Sequence, residues 1–159
     1  MATLSKLTPC LWFDLEGEQA AKFYTSIFDN SRIVSVALYG PAGPRPAGTV
    51  MTVNFELDGQ PFLALNGGPE FKFSEAISFQ VNCESQAEVD KFWTKLAEGG
   101  EEGPCGWLKD KFGLSWQIVP TVLDELIADP DPEKSQRAMK AMLGMKKLDI
   151  AELQRAAQG

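Results

Sequence analysis

Asp58-Gly-Gln-Pro-Phe-Leu-Ala-Leu-Asn66 and Asp110-Lys-Phe-Gly-Leu-Ser-Trp-Gln-Ile118 are two copies of one local pattern, an acidic turn that feeds a short apolar strand. In the first, Asp58-Gly59 supplies the positive backbone angles of a tight hairpin and joins a strand over residues 49–57 to one over 61–66. In the second, a turn over 110–113 joins strands over 106–109 and 114–119, and Pro120 stops the last of them. The two hairpins lie 52 residues apart. Upstream, Lys22-Phe-Tyr24 recurs as Lys91-Phe-Trp93 at an offset of 69. Each triplet sits in an amphipathic helix, predicted over 18–28 and 85–98, whose apolar residues recur at helical spacing: Ala21, Phe23, Tyr24, Ile27 and Phe28 in one, Val89, Phe92, Trp93 and Leu96 in the other. A strand precedes each helix, over 7–14 and 76–83, and a further β-branched strand over 32–39 follows the first helix. The Gly/Pro-rich loop over 40–48 has no counterpart in the second half, which accounts for the smaller hairpin offset. Two matches in the same order indicate a duplicated strand–helix–three-strand unit.

The expected fold class is therefore α+β, with two βαβββ modules at about 7–67 and 75–120 inside one domain over 1–120. A helical tail over 121–159 follows, with helices at 122–128, 133–142 and 150–157 around the break Asp129-Pro-Asp-Pro132. Ala138, Met139, Met142, Leu143 and Met145 form an apolar, Met-rich face on this tail. It packs on its own domain or embraces a second subunit.

Composition narrows the function. The 159 residues carry a formal charge of -7, which repels phosphate backbones and argues against a nucleic-acid partner. No apolar run is long enough to span a bilayer, and the first residues contain no stretch like a signal peptide. Three scattered cysteines point to reduced thiols and a cytoplasmic setting. The chain has no histidine, which removes Ser-His-Asp and Cys-His catalysis and every His-ligated metal site.

The segments TPCLWFD, AAKFYTSIF, LDGQPFLALNGGP, FKFSEAISFQV, CGWLKDKFGLSWQIVP and DPDPEKSQRAMKAMLGMKKLDIAELQ together resemble the PhnB-like branch of the vicinal-oxygen-chelate superfamily, the glyoxalase and bleomycin-resistance group. Members of this branch often carry the label 3-demethylubiquinone-9 3-methyltransferase-like. The resemblance implies two βαβββ modules whose curved sheets form a cup, usually within a homodimer. It also places the superfamily's metal-ligand positions at about Pro9, Leu65, Ala76 and Gln117. Three of these side chains offer no donor atom and the amide is a weak ligand, so no metal and no cofactor are expected. Methyl transfer on an open parallel sheet would need a Gly-rich turn after the first strand, where this chain has Asp14-Leu-Glu-Gly-Glu18.

If Gln117 keeps the ligand position, strand parity turns Ser115, Gln117 and Val119 toward the cup, with Leu114, Trp116 and Ile118 under the helices. The same alternation turns Ser78, Gln80 and Asn82 inward. The candidate binding residues are Gln117, Ser78 and Gln80, with Trp107 and Asn66 near the rim, and no catalytic residue is assigned. Cys105 lacks a histidine to activate it, and Glu75 reads as a solvated loop residue. Trp12, Trp93 and Trp116 read as core. Three readings stay open: a metal-free protein that binds a small organic molecule, a metal-free enzyme of unknown reaction, and a structural or regulatory homodimer.

Overall fold

Alternating large apolar residues build the first sheet against a single helix. The computed structural model describes residues 5–159, so residues 1–4 of the expected domain lie outside the described residues. It begins with β1 (Cys10–Phe13), α1 (Gly17–Ile27), β2 (Arg32–Leu38), β3 (Val50–Leu57) and β4 (Gln60–Asn66). The strand order is β1-β4-β3-β2, with β1 and β4 parallel and the other neighbours antiparallel. Leu11, Phe13, Val53, Phe55, Phe62 and Ala64 are buried, as are Ala20, Ala21, Tyr24 and Ile27 of α1, which packs on β1 to β4. Leu57 pairs with Gln60 across a two-residue turn, where Asp58 and Gly59 have φ of 49° and 78°.

The second half repeats this order as β5 (Ser78–Cys83), α2 (Gln86–Ala97), β6 (Glu101–Glu102), β7 (Trp107–Lys109) and β8 (Ser115–Pro120). The sheet runs β5-β8-β7-β6, again with its first and last long strands parallel. The two βαβββ modules expected from the internal repeat are present. β6 has no sequence signal, because two glutamates after a glycine pair have neither an apolar pattern nor β-branched residues. Its pairing comes from β7 alone.

The chain separates into two compact units between Lys72 and Phe73. The C-terminal helices α3 (Thr121–Ile127), α4 (Pro132–Leu143) and α5 (Ile150–Gln158) belong to the second. Asp131 and Asp149 start α4 and α5 by accepting the amide hydrogens of Glu133 and Glu152, both at 3.0 Å. Val119, Leu123, Leu148 and Leu153 form a core, with Met142 and Met145 packed against it. Much of the Met-rich face is thus used within its own unit, while Leu143 stays exposed. Gln86 ties this tail to α2: its amide donates to the Leu148 carbonyl at 3.1 Å and its oxygen accepts the Ile150 N–H at 2.8 Å.

Asp110 organises the turn between β7 and β8. The carboxylate is buried and accepts the N–H groups of Phe112 at 2.8 Å and Leu114 at 3.1 Å, together with the indole N–H of Trp116 at 2.9 Å. Its counterpart in the first hairpin, Asp58, is exposed. Asp110→Ala leaves these donors unsatisfied beside the fully buried Trp116, so urea unfolding should show a loss of about 3 kcal/mol. Asp58→Ala should cost much less than Asp110→Ala in the same assay.

Candidate functional site

The register of the second sheet decides which side chains meet. Ser78 pairs with Ser115, Gln80 with Gln117, Trp107 with Gln117, Lys109 with Ser115, and Glu101 with Lys109. Paired residues share a face, so these side chains occupy one side of the sheet. Val81, Cys83, Leu108, Trp116 and Ile118 are buried on the other side, against Val89, Phe92, Trp93 and Leu96 of α2.

The polar residues of the open face largely satisfy one another. The Gln117 amide donates to Ser78 Oγ at 2.9 Å, and the Gln80 amide donates to Asn82 Oδ1 at 2.9 Å. Gln80 and Asn82 are exposed, while Ser78, Gln117 and Trp107 are half-buried. Ser115 differs from all of these. It is 1% exposed, and its hydroxyl has no hydrogen-bond partner among the described residues. Val119 has the parity of this face, yet the C-terminal helices cover it.

A pocket of about 530 Å³ opens here, its walls including Glu75, Glu101, Cys105, Trp107, Lys109 and Ser115. Cys105 adopts a left-handed backbone with φ of 58°. Its N–H donates to the Met145 carbonyl and that of Gly106 to the Lys146 carbonyl, both at 2.8 Å. Gly106 has φ of 83°, and a Cβ there would lie 2.9 Å from the Ile118 carbonyl oxygen, so the approach requires glycine. The tail thereby holds one wall of the pocket in place.

Glu75, expected to be a solvated loop residue, forms an ion pair with Lys109. The hydrogen bond from Lys109 holds the Glu75 carboxyl below the usual carboxylate range, aided by a backbone hydrogen bond and by the charge of Lys109. The same bond raises Lys109, with a further contribution from the charge of Glu75 and a smaller one from Glu101. Burial and the nearby Glu88 charge push the Cys83 thiol up to about 12, which removes it from thiolate chemistry.

The structure brings Gln117, Ser78, Gln80 and Trp107 onto one face, but of these four Trp107 alone stands on the pocket wall. Asn66 belongs to the first unit, where its parity matches that of Phe62 and Ala64 under α1. Its side-chain oxygen accepts the Gly17 N–H at 2.8 Å, and its amide donates to the Val50 carbonyl at 3.2 Å. The side chain thus caps α1 from the sheet, supplying the bond that Glu16 at the N-cap does not make. Trp93 and Trp116 are core, whereas Trp12 is half-buried, donates to the Gly68 carbonyl at 2.9 Å and meets Phe71 edge-on at 4.9 Å. Ser115 as an unpartnered group, and Glu101 on the unrecognised β6, were not among the sequence candidates.

The residues present do not fit a resident metal. Proline, leucine and alanine occupy three inherited ligand positions, and Gln117 is hydrogen-bonded to Ser78. Among the described residues, no group of three or more His, Cys, Asp or Glu side chains is placed to hold a metal ion.

Residues 5–119 match the profile of the 3-demethylubiquinone-9 3-methyltransferase family. A PhnB protein from Bacillus cereus bearing the same methyltransferase label is 38% identical, with a TM-score of 0.66, over 74% of this chain and 100% of that one. A Pseudomonas aeruginosa protein shares the fold at 20% identity and a TM-score of 0.61, over 74% of this chain and 98% of the other. The fosfomycin resistance protein FosX from Mesorhizobium loti shares it at 12% identity and a TM-score of 0.56, over 80% and 99%. No curated protein sequence matches the chain. At the start of α1, after β1, the Gly17 N–H is bonded to the Asn66 side chain. Elemental analysis of protein purified without chelator should find substoichiometric zinc, iron, nickel and manganese. Gln117→Ala should leave those values unchanged.

Proposed function

The chain belongs to the 3-demethylubiquinone-9 3-methyltransferase family, the PhnB-like branch of the vicinal-oxygen-chelate superfamily, and on that premise we propose that it binds a small organic molecule on the open face of its second sheet. The observation that carries this reading is Ser115. A buried hydroxyl without a partner costs about 1–3 kcal/mol, and this one stands on the wall of a pocket large enough for a small ligand. The other polar residues of the face support binding without demanding it, since Ser78 with Gln117 and Gln80 with Asn82 already pair. A ligand would exchange these bonds for its own, with Trp107 supplying apolar area beside them. The depleted metal positions separate this reading from metal-dependent catalysis. The protein acts in the cytoplasm, where Cys10, Cys83 and Cys105 remain unpaired thiols.

Among the described residues, no helix is long and apolar enough to cross a membrane. A ligand screen read by thermal shift and tryptophan fluorescence tests the binding function. Ligands of the pocket should raise the Tm of wild-type protein, and Trp107→Ala should weaken them about tenfold. Gln117→Leu should weaken ligands that engage the amide. Hits that bind both variants as tightly as wild type would place the working surface elsewhere.

The functional form is a homodimer. β2 lies at the edge of the first sheet with Val34, Val36 and Leu38 exposed, an apolar edge that a second copy can cover. Light scattering at micromolar concentration should return twice the chain mass. Charges at Val34 and Val36 together (V34K, V36E) should shift it toward the monomer.

A further inference from the structure

Resting on the binding function of this same pocket, we propose that its ligand is an organic cation, an amine or quaternary ammonium carried on a small apolar or aromatic body. The carboxylates on this side of the pocket are Glu75 and Glu101, against a single basic side chain, Lys109, whereas Glu102 pairs with Leu108 and its side chain belongs to the other face. That ammonium is already engaged. It is ion-paired with Glu75, lies opposite Glu101 across the β6–β7 pair, and responds to the charge of both. An incoming anion would have to take Lys109 from Glu75 and then face the carboxylates that remain. A cation meets an excess of negative charge without breaking the Glu75–Lys109 pair, and the chain's formal charge of -7 draws cations toward it.

The remaining groups suit the same chemistry. Trp107 is half-buried on the pocket wall, and an indole face attracts a cation placed over it. The Ser115 hydroxyl, buried and without a partner, offers a neutral oxygen that can accept a hydrogen bond from an ammonium N–H. Carboxylate at one side, indole and hydroxyl at another give a cation charge neutralisation, a π face and an acceptor. A neutral ligand would use only part of this set, and would cover Glu101 without compensating the water it loses.

Three probes of matched shape and different charge test the class with the full-length chain: benzylamine, benzyl alcohol and benzoate, titrated calorimetrically near neutral pH at low ionic strength. Benzylammonium should bind about tenfold more tightly than benzyl alcohol, a difference of about 1.4 kcal/mol, and benzoate should be the weakest. Added salt should weaken the amine selectively. Glu101→Gln, at an exposed position of β6, should reduce amine affinity about threefold without weakening the alcohol, so that the margin between them narrows. Benzyl alcohol or benzoate binding as tightly as the amine, and lost in Trp107→Ala, would overturn the cation assignment while leaving the pocket as a binding site. Absence of binding by the amine also overturns the assignment, and the general screen with Trp107→Ala then decides the binding function separately.

Discussion

The carboxylate of Asp110 sets the register on which the second unit depends. It gathers two backbone amides of its own turn and the indole of Trp116, so β7 enters β8 with Leu108 opposite Trp116 and Trp107 opposite Gln117. Strand side chains alternate with a period of two, and a slip of one residue would exchange the faces. Trp116 and Ile118 would then meet solvent, while Gln117 and Ser115 would lie under α2. The open face inherits this register, including the placement of Glu101 opposite Lys109.

The two modules solve the same folding problems with different chemistry. In the first hairpin, Asp58 and Gly59 close the turn by conformation alone. In the second, a buried carboxylate does so through hydrogen bonds. The helix starts diverge as well. Ser85 caps α2 locally by accepting the Glu88 N–H at 3.2 Å, whereas α1 depends on Asn66, a residue 49 positions away in β4. A Cβ at Gly17 would sit 2.7 Å from the Asn66 oxygen, so glycine admits this long-range cap. The tail adds a third difference, because only the second sheet has part of its open face covered by C-terminal helices within its own unit.

Much of this was legible in the sequence because duplication doubled each local signal. Apolar periodicity and turn residues, reinforced by the repeat offsets within the two modules, located seven strands, both module helices and the tail helices to within a few residues. What escaped has a common cause. β6 consists of two glutamates held only by β7, so its existence is a tertiary fact. The Glu75–Lys109 pair and the cover over Val119 likewise join segments distant in sequence. Asn66 is instructive, since the parity that placed Ile118 under a helix applies equally to its equivalent in the first hairpin. A polar residue at the end of an apolar strand suggests a ligand contact, but here the nearest unsatisfied group was a helix N-terminus. Of the five polar side chains expected on the inner face, four pair with one another, and only the unpartnered Ser115 carries the binding argument.

The Gln86 clasp has a consequence for the order in which the molecule is made. Gln86 opens α2, yet its amide waits for Leu148 and Ile150, more than sixty positions later. Val119 waits for Leu148 and Leu153, and the backbone of Cys105 and Gly106 waits for Met145 and Lys146. While the chain leaves the ribosome, α2 and the whole second sheet have emerged before the segment that seals them. A nascent chain halted after Pro120 therefore displays Val119 and a loop with unpaired amides, the features that chaperones and proteases recognise. Premature stop codons between positions 121 and 159 would thus act through degradation of the product, although they remove no residue of the pocket wall.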